Sequence, residues 1–216
     1  MGGFFGLENG FVSTMGKVFD ILLLSFLWVL FCIPVVTMGA ATTALYYTTA
    51  KVLRRNRGYV FQEFWSCFKE NFVTSTIYTV ILLVMGIVFY FNFKIIGYVD
   101  GTLKTFLYYV YGVMLFMILT LVIYIFPVLS RFTRTRVETV KMAMILAMRH
   151  LPYTLLMIVS IAVGVFIAYC IPPTLFFVPA VTMLCVSFVM EKVFRNYMPK
   201  PEEDADEEHL EWYMTF

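Results

Sequence analysis

The sequence predicts an all-α protein: a polytopic transmembrane bundle of five spans, with its N-terminus outside, its C-terminus inside and two helices at the cytoplasmic interface. Three observations predict this fold class. The 216 residues are 61% hydrophobic and only 14% charged, with a mean hydropathy of +0.84, whereas about a quarter of the residues of a soluble domain are charged. Long runs of the chain carry no charge, and the basic residues gather between alternate runs.

Four charge-free runs mark the membrane spans, since a span needs about 20 mainly apolar residues. The last run covers residues 151–190 and is long enough for two helices. Its sequence IPPT, at 171–174, divides it because proline removes a hydrogen-bond donor and disfavours helix at the preceding residue. The five predicted spans are residues 18–37, 73–94, 105–127, 152–171 and 174–194.

The path of residues 34–53 stays open between two alternatives. The first charge-free run is longer than one span, and Pro34 and Gly39 interrupt it. After a kink at Pro34 the chain could continue as a helix that lies along the inner interface or dips into it. It could instead turn back and form a sixth span.

The positions of the basic residues favour five spans. Short cytoplasmic loops carry an excess of Lys and Arg. With the N-terminus outside, only Lys17, Lys94 and Lys104 lie outside, and a sixth span would break this agreement. The other 13 of the 16 basic residues lie inside, namely Lys51, Arg54, Arg55, Arg57, Lys69, Arg131, Arg134, Arg136, Lys141, Arg149, Lys192, Arg195 and Lys200.

Two amphipathic segments are predicted to form interfacial helices on the cytoplasmic leaflet. The first follows three arginines and carries an aromatic face that ends at Phe72. The second, Arg131 to His150, carries Val137, Val140, Met144 and Met148 on one side. Such helices either dock a partner or simply complete a small membrane bundle. The candidate docking residues of the first helix are Arg54, Arg55, Arg57, Phe61, Phe64, Trp65, Phe68 and Lys69.

Polar aromatic residues concentrate near the outer ends of the second and third spans. Tyrosine rings stack on apolar sugar faces, and neighbouring polar groups bind hydroxyls, so a saccharide or partner surface is one hypothesis. The same residues also fit an ordinary aromatic belt at the membrane interface. They are Tyr90, Asn92, Tyr98, Asp100, Tyr108, Tyr109 and Tyr111.

The remaining features predict packing rather than chemistry. Ser160, Gly164 and Ala168 form a stripe of small residues that lets another helix approach closely. The only acidic residues of the spans are Asp20 and Glu191, neither near the centre of a span, which disfavours proton-coupled transport. The sequence has no catalytic or metal-binding motif. We therefore predict no enzyme activity, no cofactor and no metal site.

The predicted transmembrane domain covers residues 1–200, and a second segment, residues 201–216, is an acidic tail. Seven of the 14 acidic residues of the chain lie in that tail. A block of like charge is typical of a solvated, disordered segment.

Four short motifs follow one another in the first third of the chain: GKVFD at 16–20, PVVTMGA at 34–40, ALYY at 44–47 and FKENF at 68–72. Their order resembles the YesL-like family of bacterial integral membrane proteins. The resemblance extends from residue 1 to about residue 197 and implies a small multi-span protein of the bacterial cell membrane. The genes of that family often accompany carbohydrate-uptake transporters and glycan-degrading enzymes. No catalytic residue is established for the family, so none is transferred. The matching residues are Gly16, Lys17, Asp20, Pro34, Thr37, Gly39, Ala44, Leu45, Tyr46, Lys69, Asn71 and Phe72.

The resemblance leads to the expectation of a non-catalytic protein that assists, or forms a subunit of, an ATP-driven carbohydrate uptake system. Its expected partners are the lipid bilayer and permease or ATPase subunits, with no nucleic acid; a homo-oligomer stays open. The alternatives are a stand-alone carrier or channel for small solutes and a membrane regulatory protein.

Overall fold

The computed structural model describes residues 4–98, 101–132, 135–195 and 197, with side chains from residue 15 onward. Within these ranges the chain contains no β-strand. The predicted acidic tail lies outside the described residues. Seven α-helices follow one another: α1 (Phe4–Cys32), α2 (Met38–Thr48), α3 (Val60–Ile96), α4 (Thr102–Arg131), α5 (Arg136–Arg149), α6 (Leu151–Cys170) and α7 (Val178–Phe194).

Four of these helices, α1, α3, α4 and α6, are long and apolar enough to cross a membrane. Their outward surfaces are apolar; on α6, for example, Val165 and Phe166 are 65% and 67% exposed. Soluble proteins rarely expose contiguous apolar surface, so the helices form the kind of bundle that the sequence predicts. The fifth predicted span is α7, which has 17 residues. Its length of about 26 Å is close to the ~30 Å hydrocarbon core of a bilayer, so a fifth crossing stays a prediction.

Helix α1 ends at Cys32, five residues before the predicted end of the first span. Pro34 explains this end because proline disfavours helix at the preceding residue. The hydroxyl of Thr37 donates to the carbonyl oxygens of Phe31 and Pro34, at 2.6 and 2.8 Å, and so satisfies carbonyl groups at the end of the helix. A 3₁₀ turn, Val35–Thr37, then leads into α2.

The open path of residues 34–53 is a short helix packed inside the bundle. Helix α2 has 11 residues, and a π-helical turn, Thr49–Leu53, continues it directly. Eight of the 11 residues are buried, many of them Gly or Ala. It runs antiparallel to α3, since the hydroxyls of Thr43 and Ser75 are 3.2 Å apart and Lys51 pairs with Glu63 at 2.7 Å. The chain therefore turns after Pro34 and continues as a buried helix, and its depth relative to the membrane interface stays a prediction.

The first predicted interfacial helix is not a separate element. Helix α3 runs without a break from Val60 to Ile96, 37 residues, or about 55 Å, and so combines that segment with the second predicted span. No proline interrupts this stretch, and charged residues such as Lys69 do not break a helix. Its aromatic face packs partly on the protein, because the Phe31 ring of α1 lies 5.7 Å from Phe64 and 4.8 Å from Phe68 between centroids.

The second predicted interfacial helix exists as α5, which begins with a capping box between Thr135 and Glu138. The side of α5 that packs on the rest of the protein includes Ala143 and Leu146. Small side chains there allow α5 to lie close to α4. The predicted apolar side stays largely exposed, including Met148 at 64%, so contact of α5 with the membrane interface remains a prediction.

The predicted break between the last two spans is confirmed. Helix α6 ends at Cys170, and a 3₁₀ turn, Pro172–Phe176, precedes α7. The two helices pack against each other at Gly164, where a Cβ atom would overlap the side chain of Thr182. The small residue therefore permits the close approach of α6 and α7.

Candidate functional site

A buried ion network joins four parts of the chain at one end of the bundle. Its centre is the carboxylate of Glu191 on α7, whose side chain is 7% exposed. Oxygen Oε1 accepts a hydrogen bond from the Tyr46 hydroxyl of α2 at 2.9 Å. Nη2 of Arg131, the last residue of α4, also pairs with Oε1. Oxygen Oε2 pairs with Nη2 of Arg55, in the loop before α3, at 3.3 Å.

The network is stable because its central carboxylate is compensated by partners on both oxygens. A buried charge is costly unless it is paired and hydrogen-bonded. Two guanidinium groups surround one carboxylate, so the cluster carries a net positive charge. Burial lowers the pKa of Arg55, and the charge of Glu191 opposes that effect. The network therefore fixes the loop before α3 to the ends of α4 and α7.

A further contact fixes the same loop. Nη1 of Arg54 donates to the backbone carbonyl of Ser187 at 3.0 Å, and its guanidinium lies 4.4 Å from the ring centroid of Phe188. Both partners belong to α7. Two consecutive arginines thus bind the loop to one helix.

The predicted docking residues divide into a buried and an exposed group. Arg54 and Arg55 are engaged in the contacts with α7, and Phe64 and Phe68 are 1% and 6% exposed beneath α1. The others reach the surface. Phe61, Trp65 and Lys69 recur every four residues on one face of α3, and the ammonium group of Lys69 lies 4.9 Å from the Trp65 ring centroid. We call these three residues and the exposed Arg57 the basic–aromatic patch.

The tyrosines that the sequence assigns to an outer surface have different surroundings. Tyr108 and Tyr111 of α4 pack on Phe93 and Phe89 of α3, at 5.4 and 5.1 Å between ring centroids. The amide of Asn92 donates to a carbonyl of its own helix, that of Val88. Asp100 lies outside the described residues. The remaining three side chains are exposed, namely Tyr90, Tyr98 and Tyr109, so saccharide binding here stays a prediction.

An apolar chamber of about 450 Å³, open on one side, lies between the helices, and every helix except α5 contributes to its wall. Its polar groups are few and mostly engaged. The indole N–H of Trp28 donates to the Thr42 hydroxyl at 3.3 Å, and that hydroxyl donates to the Met38 carbonyl at 2.7 Å. The Thr79 hydroxyl donates to the Ser75 carbonyl at 2.8 Å. The rest of the wall is almost entirely hydrocarbon.

Two of the three small residues of the predicted stripe on α6, Gly164 and Ala168, line the chamber. Gly164 also contacts Thr182 of α7. Ser160 is half-buried, and its hydroxyl donates to the Leu156 carbonyl of its own helix at 2.9 Å. Close helix packing therefore occurs at the middle residue of the stripe.

Sequence reasoning missed the ion network because its members are far apart in the chain. Tyr46 and Glu191 are separated by 145 positions, and Arg131 and Glu191 by 60. One signal could have suggested the network. Glu191 is a single acidic residue at the end of an apolar run, close to the basic residues. Among the described residues, no group of His, Cys, Asp and Glu side chains could hold a metal ion.

Comparison with known proteins gives similarity without an assigned activity. Residues 21–93 match the model of a family described as "Protein of unknown function, DUF624". The chain is also 24% identical over 168 residues to "Uncharacterized protein YteU" of Bacillus subtilis (strain 168), an alignment that covers 77% of this chain and 74% of YteU. No solved structure matches. These similarities agree with the resemblance to the YesL-like family. The segment that matches the DUF624 model contains Tyr46 and Arg55 of the ion network.

Proposed function

We propose that the protein is a non-catalytic, multi-pass protein of the bacterial cell membrane that assists, or forms a subunit of, an ATP-driven carbohydrate uptake system. The resemblance to the YesL-like family supports the link with carbohydrate uptake. The geometry supports the docking role: the Glu191 network holds the basic end of the bundle in one arrangement, and the basic–aromatic patch lies on that end.

The proposed topology has five crossings, made by α1, α3, α4, α6 and α7, with the basic end in the cytoplasm. The ion network supports this arrangement because it brings the loop before α3 together with the ends of α4 and α7. Loops that meet in one cluster lie on the same side of a membrane. Their Lys and Arg content then favours the cytoplasmic side.

The composition of the basic–aromatic patch fits a protein interface. Trp and Arg are enriched among residues that contribute most to binding. Phe61 is 56% exposed, and Trp65, whose ring lies 5.7 and 5.8 Å from the rings of Phe31 and Phe68 between centroids, is still 37% exposed. A cytoplasmic patch of this kind is accessible to an ATPase subunit or to the cytoplasmic loops of a permease.

The competing hypothesis, a carrier for a small polar solute, receives less support from the cavity. Sites for polar ligands place several polar groups towards the ligand. In the chamber, the hydroxyls of Thr42 and Thr79 donate to carbonyl groups of their own helices, and most of the remaining wall is hydrocarbon. A sugar in this chamber would leave most of its hydroxyls without partners.

Site-specific photo-crosslinking in native membranes tests the proposal. A photoreactive phenylalanine analogue replaces Phe61, and a control protein carries the same analogue at Phe166, an exposed position on α6. We expect position 61 to capture a permease or ATPase subunit of a carbohydrate importer, and position 166 not to do so. Capture of the same proteins from both positions, or of no importer subunit from position 61, would contradict the proposal.

A further inference from the structure

The apolar chamber is large enough to be a ligand site, and its wall determines what it can hold. A volume of about 450 Å³ falls within the range of roughly 300–1,000 Å³ that is typical of ligand pockets. Water is a poor occupant, because a buried water molecule needs two to four polar partners. Apolar cavities far smaller than this one stay dry and bind apolar molecules.

The chamber borders the surface that faces lipid. Residues of its rim are partly exposed, including Val165 at 65%, Met38 at 40% and Leu83 at 37%. Four of its residues, Val122, Ile123, Ile161 and Val165, also line a second apolar groove between α4 and α6. The chamber is therefore next to the outer surface of two helices that are long and apolar enough to cross a membrane.

We propose that the chamber binds one acyl chain of a bilayer lipid, which enters through the groove between α4 and α6. Three observations support this occupant: the apolar wall, the volume and the continuity with the lipid-facing surface. A lipid chain is also the apolar molecule present at the highest concentration around these helices. The inference does not depend on the docking partner and can succeed or fail separately.

Trp28 is a natural probe because its side chain lines the chamber. The protein has three tryptophans. Replacing Trp65 and Trp212 with phenylalanine leaves Trp28 as the single indole, which is excited selectively over tyrosine. This protein is reconstituted into phosphatidylcholine vesicles, with or without lipids that carry bromine on their acyl chains. Bromine quenches indole fluorescence at short range, so we expect strong quenching of Trp28.

The decisive comparison uses variants in which a phenylalanine side chain fills the chamber. Ala168→Phe places a ring in the chamber, and Val122→Phe places one at the wall shared with the groove. Val163→Phe, on the 51%-exposed lipid-facing side of α6, is the matched control. We expect the two filling variants to lose most of the quenching by brominated lipid and the control to keep it. Circular dichroism and thermal unfolding identify which filling variant is folded and therefore used.

Two results would overturn the inference. One is equal quenching in the filled and control proteins, which would mean that lipid reaches Trp28 only from the outer surface. The other is quenching of Trp28 by bromododecane but not by brominated phospholipid, which would assign the chamber to a small apolar molecule rather than to a lipid chain.

Discussion

Arg131 and Glu191 are paired in the protein interior although 60 positions separate them in the chain. The side chain of Arg131 has no exposed surface, and that of Glu191 is 7% exposed. The same carboxylate also binds Tyr46 and Arg55. One acidic side chain thus connects α7 to the end of α4, to α2 and to the loop before α3, which makes it the key residue for the architecture of the basic end.

Glu191→Gln should strongly destabilise the protein. The change removes the negative charge while Arg131 remains buried and Arg55 half-buried, and breaking a buried ion pair costs about 3–5 kcal/mol. Chemical unfolding in detergent micelles measures the effect. Glu63→Gln is the control, since that carboxylate pairs with a single cation, Lys51, and each side chain is 19% exposed, so we expect a smaller loss than for Glu191→Gln. Equal losses in the two variants would show that the network is not a principal source of stability.

Tyr46→Phe should produce a smaller loss than Glu191→Gln. Phenylalanine keeps the buried ring and its packing against Phe194 but removes the hydroxyl that donates to Glu191. A hydrogen bond to a charged group contributes about 1.5–3 kcal/mol. The same unfolding assay applies, with Tyr98→Phe as the control because Tyr98 is 88% exposed. A Tyr46→Phe protein as stable as the control would exclude a stabilising role for this hydrogen bond.

Gly39→Ala and Gly86→Ala should change stability in opposite directions. A Cβ atom at Gly39 would overlap the Thr79 hydroxyl and the Phe126 ring, and such overpacking costs about 1–3 kcal/mol. Gly86 lies within α3 with no neighbouring atom within 4 Å of an added Cβ. Alanine there should stabilise the helix by about 0.5–1 kcal/mol. Thermal unfolding of both variants measures whether each melting temperature falls or rises. Destabilisation of both variants by a similar amount would contradict the close contact of α2 with α3 and α4.

Trp65→Ala should reduce the recovery of importer subunits with the protein from native membranes. The change removes the central ring of the basic–aromatic patch, and a buried tryptophan at an interface commonly contributes about 2 kcal/mol or more to binding. Quantitative mass spectrometry of the purified complexes measures the loss. Phe188→Ala is an unsuitable control because that ring contacts Arg54, whereas Phe166→Ala changes only an exposed face of α6. Unchanged recovery in the Trp65→Ala protein would assign the patch to another role.

Local sequence signals predicted much of the fold. The IPPT segment gave the right position for the break between α6 and α7 because proline acts on its immediate neighbours. The amphipathic segment after Arg131 correctly predicted a separate helix, α5, because helical spacing of apolar and charged residues is a local pattern. The extent of α1 was overestimated by five residues, since the charge-free run continues past Pro34 while the helix does not.

The errors concern relations between distant residues. Periodicity in residues 60–72 could not show that the same helix continues to Ile96, because an aromatic face suits both a membrane surface and a neighbouring helix. In the structure this aromatic face packs partly on a neighbouring helix, because the Phe31 ring contacts Phe64 and Phe68. The burial of α2 and the network of Glu191 depend on tertiary packing in the same way.

The most direct test of the account is the side of the membrane on which the basic end lies. Helix α3 carries an exposed residue near each end, Gln62 and Tyr98. Each is replaced by cysteine in a protein without its four native cysteines, and intact cells are treated with a membrane-impermeant maleimide. With the basic end in the cytoplasm, we expect labelling of Tyr98→Cys in intact cells and labelling of Gln62→Cys only after permeabilisation. Labelling of Gln62→Cys in intact cells would contradict it, because the docking surface would then face away from any ATPase.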